Sequence, residues 1–321
     1  MVTRKHNQRL LSKIAHMYYE QGLSQQMIAE KLRTSRPTIS RMLDQARKMG
    51  IVKISIQSFN DRIASLESEL ESKFSLNEVA VIANDSMNKA DQKKALGAVA
   101  ADILQRIVKG SDVVGISWGT SLREVINGLK PTHIPGLIAV PLVGGMGQDI
   151  RYEIHSNSLV VDFSRKLGCH SWVLHAPAIV ERENLKDAIL GESESGEIME
   201  QAKKANIGMV GLGALNESST MIQTGFFSID DFKEIREKGA IGEVCSFFFD
   251  RNGQACDIDI NKRVIGVGPY DLKNIETVIA VVAGDKKEEA LHAALRGQFI
   301  NILITDELTA EKVLLIESAT R

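Results

Sequence analysis

Apolar residues in the first sixty positions recur at spacings of three and four, which is the period of an amphipathic helix. This pattern predicts a helix over 7–20, a second helix that begins after Ser24 and a third that begins after Ser35. Apolar and polar residues then alternate over 51–56, which predicts a short strand. Three helices followed by a strand are typical of a winged helix-turn-helix DNA-binding domain, which we place at residues 1–57.

The third of these helices presents short hydroxyl and guanidinium side chains on its outer face. Such groups suit the base edges and phosphates of a DNA major groove. The turn before it holds Arg33, where glycine is often found in this motif. The alternative is a small three-helix bundle with a solvated basic face. The residues expected to contact DNA are Gln25, Ser35, Arg36, Pro37, Thr38, Ser40 and Arg41.

A narrow apolar seam follows, formed by Ile63, Leu66, Leu70 and Phe74, and it predicts a helix over 61–74. Glutamates occupy the positions outside the seam. A helix of this kind either joins two copies of the chain as a short coiled coil or packs on the domain that follows. Both interpretations stay open at this point.

Strand-like and helix-like segments alternate along the rest of the chain. The predicted strands are 79–83, 113–117, 137–142, 172–176, 207–211, 278–283 and 302–305, with helices that include 95–108, 121–129, 156–167 and 288–295. The alternation predicts an α/β fold with a mostly parallel, doubly wound sheet in a larger domain over 58–321. Ligands of such sheets bind outside the carboxyl ends of the strands.

The first strand exit whose residues could bind a ligand lies in Gly115–Leu122. The chain turns at Gly119, and the hydroxyls of Ser117, Thr120 and Ser121 surround the expected start of a helix. Unpaired backbone amides at a helix start, together with hydroxyls, form a cradle for an anion. The segment matches neither a Walker loop nor a dinucleotide fingerprint, so we expect one small phosphate. An ordinary capped helix is the alternative.

Two further glycine turns follow strands, one around Gly145 with Gln148 after it and the other at 211–213. Each is weak evidence alone, because glycines at strand exits are common. The loop 284–287 also leaves a strand and precedes a helix. Its lysines could reach a phosphate in the cradle, or they could form a solvated charge pair.

The net charge conceals a division along the chain. The 321 residues carry a formal charge of −2, with 44% hydrophobic and 25% charged residues. The first sixty hold eleven basic and three acidic residues, a net charge of +8, whereas the rest hold 28 basic and 38 acidic residues, a net charge of −10. A basic segment joined to an acidic body indicates a nucleic-acid-binding module attached to a second domain.

Several classes of protein are excluded by pattern. No apolar run reaches the ~18–20 residues of a membrane helix, and the N-terminus lacks the apolar core of a signal peptide. Three distant cysteines predict neither a disulfide framework nor a zinc site, so we expect reduced thiols in a cytoplasmic protein. Nothing in the pattern requires a metal or a cofactor.

Several motifs resemble the SorC family of sugar-binding transcriptional regulators, including its deoxyribonucleoside-regulator branch. The resemblance is collinear over nearly the whole chain. The segments that carry it are 18–19, 24–30, 35–41, 115–121, 239–250, 261–266, 294–297 and 303–307. The resemblance implies a sensor domain related in fold to sugar-phosphate isomerases and deaminases, in tetramers built as dimers of dimers.

The same resemblance implies roles for residues of the second domain. The cradle of Ser117, Gly119, Thr120 and Ser121 would hold the effector phosphate, and Lys287 would supply a countercharge. Gln148, Asp250 and Glu217 would contact sugar hydroxyls, and Gly145 belongs to the glycine turn beside them. Some relatives carry a lysine that can form an imine before the paired glycines, where this chain has Val143.

These inferences favour a transcriptional regulator, a repressor rather than an activator, whose operator binding is controlled by a phosphorylated sugar. The first alternative is a sugar-phosphate isomerase or deaminase with an appended DNA-binding module. That chemistry needs paired proton carriers, and Asp250, Asp149 and His175 form no evident pair near the cradle. The other alternative, an architectural DNA-binding protein without a ligand, leaves the cradle unexplained.

Overall fold

The computed structural model describes residues 2–53, 61–83, 88–145, 152–191, 194–223, 225, 227–284 and 286–320. The chain divides into two compact units, Met1–Phe59 and Asn60–Arg321. Among the described residues, no helix has the length and apolar character needed to cross a membrane.

The described part of the first unit consists of α1 (Val2–Tyr19), α2 (Gln25–Lys31) and α3 (Arg36–Lys48), which confirms the three predicted helices. Ser24 Oγ accepts a hydrogen bond from the Met27 amide at 3.2 Å, and Ser35 Oγ accepts one from the Thr38 amide at 3.4 Å. Both hydroxyls therefore cap their helices as expected. Ile14, Ile28, Ile39 and Leu43 are fully buried between the helices.

The turn between α2 and α3 depends on left-handed backbone. Arg33 has a φ of 49° in the turn between the two helices, the conformation that glycine would adopt there at lower cost. Residues 51 and 52 are bends, residue 53 has no regular structure, and 54–56 lie outside the described residues. The strand over 51–56 therefore stays a prediction beyond residue 53.

The second unit is built around a parallel sheet. Its strands are β1 (Glu78–Ile82), β2 (Val113–Ile116), β3 (Ile138–Pro141), β4 (His170–Ser171), β5 (Ile207–Val210), β6 (Gly213–Ala214), β7 (Gly242–Val244), β8 (Phe247–Phe249), β9 (Thr277–Val281) and β10 (Ile302–Asp306). In the described residues the main sheet has the order β1-β10-β9-β5-β2-β3-β4, and every adjacent pair is parallel. The α/β fold and its parallel sheet are thus confirmed.

Helices precede, connect and follow the strands along the chain. They are α4 (Asp61–Phe74), α5 (Lys89–Ile107), α6 (Thr120–Gly128), α7 (Ser156–Leu167), α8 (Glu183–Gly191), α9 (Glu194–Lys203), α10 (Thr220–Gln223), α11 (Ile229–Glu237), α12 (Asp259–Lys262), α13 (Pro269–Leu272), α14 (Glu288–Arg296) and α15 (Glu307–Thr320). Along β9, Val278 and Ala280 enter one apolar cluster, and Ile279 and Val281 enter the other. Both faces of the sheet are therefore covered, which explains strands that are continuously apolar.

The helix α4 packs on this unit through both its apolar and its acidic residues. Leu70 and Phe74 are buried in the main cluster. Glu67 Oε1 accepts a hydrogen bond from the Val81 amide at 2.9 Å, and Glu71 Oε1 accepts one from the Val79 amide at 3.0 Å. These carboxylates, predicted to lie outside the seam, occupy the outer edge of β1. The packing interpretation of α4 is confirmed.

Two parts of the strand prediction were wrong. The strand expected at 172–176 lies instead at His170–Ser171, and the residues that follow it are irregular. The antiparallel sheet β6-β7-β8 was missed. Cys245 and Ser246 join β7 to β8 with φ values of 49° and 69°. A tight hairpin turn without glycine or asparagine gives little signal in sequence.

Candidate functional site

A cavity of about 480 Å³ lies at the carboxyl ends of β2, β5 and β9. From β2 the sheet continues to β3 and β4 in one direction, whereas β5, β9 and β10 lie in the other. The cavity is therefore at the point where the strand order reverses, the usual ligand site of a doubly wound sheet. Loops after all three strands contribute to its wall.

The first wall of the cavity is the start of α6. Gly119 is the N-cap residue with a φ of 122°, and it provides no side-chain cap. Thr120 and Ser121, both half-buried, follow in the first helical turn and line the cavity. The first amides of a helix have no intrahelical acceptor, and the helix dipole favours negative charge there. The first turn of α6 holds no acidic residue that would oppose an anion.

The second wall is formed by four lysines, Lys89, Lys93, Lys286 and Lys287. Lys93 Nζ donates a hydrogen bond to Thr120 Oγ1 at 3.1 Å, which places one ammonium group directly at the start of α6. Burial and, to a smaller extent, the neighbouring Lys93 lower the pKa of Lys287 to about 8, although Glu243 acts in the opposite direction. The cavity is therefore locally cationic within an acidic unit.

Glu243 of β7 forms the floor of the cavity and is only 6% exposed. Its Oε2 accepts a hydrogen bond from the Ser246 amide at 3.0 Å, across the β7–β8 turn. Burial outweighs the lowering effects of the Ser246 amide and of Lys287, and the pKa of Glu243 is raised to about 7. Gly213 of β6 gives this side chain its space, because a Cβ there would lie 2.2 Å from Glu243 Oε1.

Some of the residues that line this cavity were predicted from the sequence. Gly119, Thr120, Ser121 and Lys287 are brought together around the cavity, and Glu217 also lines it. Lys93 and Glu243 were missed. Lys93 lies before the helix predicted over 95–108 and belongs to α5 only in the structure, and Glu243 belongs to the small sheet that the pattern did not predict.

Three other predicted effector residues lie away from the described cavity wall. Ser117 is 1% exposed, and its hydroxyl accepts a hydrogen bond from Cys245 Sγ at 3.3 Å. Asp250 Oδ1 caps a turn by accepting from the amides of Asn252 and Gln254, both at 2.9 Å. The Gly145 amide donates to the Ala176 carbonyl at 2.8 Å. Gln148 lies outside the described residues.

A second cavity, of about 540 Å³, lies beside α8 and α9. Its described charged residues include Glu197, Glu200 and Lys203, and Lys203 Nζ is paired with Glu200 at 2.8 Å. Two glutamates and one paired lysine on its described wall suit an anion less well than the four lysines of the first cavity. Among the described residues, no cluster of histidine, cysteine or carboxylate side chains could hold a metal ion.

In the first unit, the predicted DNA-contacting residues surround the start of α3. Ser35, Arg36, Pro37, Ser40 and Arg41 are exposed. Thr38 and Gln25, the first residue of α2, are half-buried. Thr38 Oγ1 lies 2.8 Å from Ser35 Oγ.

The fold and the cavity define a ligand-binding α/β domain that follows a small helical unit with a basic surface. A family described as "Putative sugar-binding domain" matches residues 57–315. The chain belongs to this family, the sugar-binding transcriptional regulators of the SorC type.

Individual relatives agree with this assignment. The chain is 32% identical to the deoxyribonucleoside regulator of Bacillus subtilis strain 168, over 95% of this chain and 97% of that protein. The crystal structure of the full-length sorbitol operon regulator SorC of Klebsiella pneumoniae aligns with a TM-score of 0.74 at 28% identity, covering 95% of this chain and 98% of that one. A DeoR family transcriptional regulator from Listeria monocytogenes aligns with a TM-score of 0.74 at 33% identity, covering 79% and 100%.

Proposed function

We propose that this protein is a DNA-binding transcriptional repressor of a carbohydrate-utilisation operon, and that a phosphorylated sugar in the cavity at β2, β5 and β9 controls its operator binding. One observation supports a phosphate as part of the ligand. The uncapped start of α6 and the Lys93 ammonium meet at the Thr120 hydroxyl, and this combination is suited to a phosphate.

The remaining wall supports a sugar as the rest of the ligand. Carboxylate, amide and hydroxyl groups from Glu243, Glu217, Asn216 and Ser218 also line the cavity. Such groups bond with sugar hydroxyls, and the volume is in the ~300–1,000 Å³ range of small-molecule sites. The phosphate would bind at Gly119, Thr120, Ser121 and Lys93, with the hydroxyls toward Glu243.

The basic helical unit supports DNA as the second ligand. In this proposal residues 1–57 form a winged helix-turn-helix, and α3 enters the major groove with Arg36 and Arg41 on the bases or phosphates. Two such units in one oligomer, a dimer of dimers, would read two half-sites. The acidic second unit is repelled by DNA, which confines contact to the basic segment.

Control of DNA binding follows from linkage. If the sugar phosphate and the operator prefer different quaternary arrangements, each weakens binding of the other by the same factor. A coupling of ~1–3 kcal/mol changes operator affinity about 5–150-fold. The sugar-bound arrangement releases the operator, so the protein represses transcription when the sugar phosphate is absent.

A thermal-shift screen over phosphorylated pentoses, hexoses and pentitols tests the ligand class, followed by operator binding with and without the compounds that bind. We expect a rise in melting temperature with at least one sugar phosphate and none with its unphosphorylated sugar. Equal stabilisation by both sugars contradicts the phosphate cradle. Binding without any effect on DNA contradicts the control mechanism.

The competing function is turnover of the sugar phosphate. It is favoured by the presence of Glu243 and Lys287 in the same cavity. Both groups have pKa values near neutrality and face one cavity. The named relatives are transcriptional regulators, which supports binding without turnover. Phosphorus NMR of each bound sugar phosphate separates the two functions, because isomerisation or deamination produces new resonances over time.

A further inference from the structure

Arg123 carries a positive charge one turn inside α6, but it is not among the described residues that line the cavity. Its side chain is only 14% exposed. The helix dipole disfavours a cation close to the start of a helix, and a buried charge needs bonded partners. The guanidinium must therefore be compensated by contacts outside the cavity.

All three nitrogens of the Arg123 guanidinium have acceptors. Nε donates a hydrogen bond to the Glu153 carbonyl at 2.6 Å, and Nη2 donates to the same oxygen. Nη1 donates to Asp162 Oδ2 of α7 at 2.8 Å, and the two groups form an ion pair. The side chain thus joins α6 to α7 and to the 3₁₀ turn Tyr152–Ile154.

The next carbonyl of that turn holds the start of α6. Ile154, which is 5% exposed, accepts a hydrogen bond from the Gly119 amide at 3.0 Å. The Gly119 carbonyl in turn accepts one from the Arg123 amide at 3.1 Å. Gly119, Arg123, Glu153 and Ile154 therefore form a closed ring of bonds around the residue at which the helix begins.

The conformation of Gly119 depends on this ring. Its φ of 122° is outside the helical region, and it provides no side-chain cap, so main-chain bonds define where α6 begins. The first amides of a helix have no intrahelical acceptor, and the point at which the helix begins sets their direction. The same point sets the positions of Thr120 and Ser121 on the cavity wall.

We propose that Arg123 is a positioning residue for phosphate binding at the start of α6. This inference rests on the proposed function. Arg123 does not touch the phosphate; it fixes the Glu153–Ile154 peptide, which holds Gly119. A binding geometry that is fixed in advance needs less ordering when the ligand binds. Loss of outer partners at metal sites typically lowers affinity about 10–100-fold, and we expect a loss of that order here.

Titration with inorganic phosphate and with ribose 5-phosphate tests the role on the full-length protein. Arg123→Met removes the guanidinium and should weaken binding of both compounds about 10–100-fold. Arg123→Lys keeps the charge but not the planar fork, so its affinity should be intermediate. Any affinity for unphosphorylated ribose should be the same in all three proteins, because the ring acts only on the phosphate end.

Arg263 is the matched control, because its guanidinium makes similar bonds with residues that do not line the cavity. Nε pairs with Asp259 at 2.8 Å, and Nη1 donates to the Val180 carbonyl at 2.8 Å. Its side chain is 23% exposed. Arg263→Met should lower the melting temperature, as Arg123→Met does, but keep the wild-type affinity for phosphate. Equal losses of affinity in the two variants would reflect stability alone and overturn the proposal.

Asp162→Asn separates positioning from direct contact with the phosphate. Asparagine keeps an acceptor oxygen but not the charge that orients the guanidinium, so phosphate binding should weaken. If Arg123 bound the phosphate itself, its release from Asp162 would leave binding unchanged or strengthen it, and the positioning role would be overturned. Arg165→Met removes the other partner of Asp162, at 3.2 Å, and should bind phosphate normally.

Hydrogen exchange tests the ring without any ligand. The Gly119 amide should be protected in the wild type and should exchange faster in folded Arg123→Met, because the Ile154 carbonyl is no longer held in place. The amides of β2 should exchange equally in both proteins. Mass spectrometry of overlapping peptides measures the difference, and unchanged protection of Gly119 would overturn the positioning role.

The outcomes separate the two proposals. If the wild type binds a phosphate compound and folded Arg123→Met binds it equally well, the positioning role is overturned and the proposed function stands. If the wild type binds neither inorganic phosphate nor any sugar phosphate of the thermal-shift screen, phosphate binding at the start of α6 is overturned, and the role of Arg123 falls with it.

Discussion

Lys93 Nζ lies 3.1 Å from Thr120 Oγ1, and this bond joins α5 to the first turn of α6. One turn further along both helices, Gly97 packs against Glu124, where a Cβ on Gly97 would lie 2.4 Å from the Glu124 carbonyl carbon. Residues four apart share a helix face. The missing side chain at Gly97 therefore sets the helix separation at which Lys93 reaches the cradle.

Gly97→Ala should separate α5 from α6 and weaken phosphate binding. The added methyl group meets backbone rather than a flexible side chain, and overpacking of this kind costs about 1–3 kcal/mol. Thermal unfolding should show a lower melting temperature, and titration should show weaker binding of the sugar phosphate. Gly191→Ala is the matched control, since a Cβ at that helical glycine meets nothing within 4 Å. Equal melting temperatures for the two variants would argue against the close packing.

Thr120→Glu should abolish the response to sugar phosphate while leaving DNA binding unchanged. The new carboxylate occupies the helix start and repels the phosphate, and it would pair with Lys93. The measurement is the thermal shift with the best ligand, together with operator binding by gel shift. Thr132→Glu adds the same charge at an exposed position of the same unit and should respond normally. A normal response from Thr120→Glu would show that the start of α6 does not hold the phosphate.

Arg36→Ala and Arg41→Ala should weaken operator binding, by ~1–3 kcal/mol where the arginine contacts a base. Fluorescence anisotropy with operator and with scrambled DNA distinguishes a base contact from a phosphate contact, because only the former relaxes specificity. Lys13→Ala removes an exposed charge from α1 and should have a smaller effect. If neither arginine variant changes the affinity, α3 is not the recognition helix.

Operator affinity should fall steeply with salt. Phosphate contacts release counterions, so log K decreases linearly with log salt by about 0.9 per contact. Removal of one phosphate-contacting arginine should reduce the slope by about one. A flat salt profile, measured on the full-length protein, contradicts a DNA-binding role for the basic segment.

Glu243→Gln should change how stability depends on pH. The pKa of Glu243 is about 7 in the folded protein and ordinarily 4.5. The folded state therefore binds the proton more tightly, and stability falls as pH rises from 4.5 through 7. Glutamine keeps an acceptor for the Ser246 amide without this loss, so the variant should gain stability relative to the wild type between pH 5 and 8, on the order of 2–3 kcal/mol.

Chemical denaturation at pH 5 and pH 8 measures that difference. Glu237→Gln, at an exposed position of α11, should parallel the wild type at both values. A constant difference between Glu243→Gln and the wild type across this range would show that the carboxyl group does not titrate there.

The helices of the first unit and the strand exits of the second were readable because each depends on neighbours in sequence. Ser24 and Ser35 cap helices a few residues away, and Gly119 precedes the helix that it starts. Lys93 and Glu243 depend on contacts across the fold. Lys93 reaches Thr120 only because α5 and α6 touch at Gly97, and Glu243 reaches the cavity through a hairpin whose turn, Cys245–Ser246, has no turn signature.

Local pattern alone therefore determined the helical N-terminal unit, the α/β class, the glycine turn that begins α6 and the division of charge, because these follow from periodicity, capping and composition. The tertiary structure decided which of the candidate polar residues share one cavity. It buried Ser117 beside Cys245, used Asp250 to cap a turn, and turned Glu67 and Glu71 onto the edge of β1. Each placement is set by the separation of packed helices and the order of strands, which no single segment of the chain encodes.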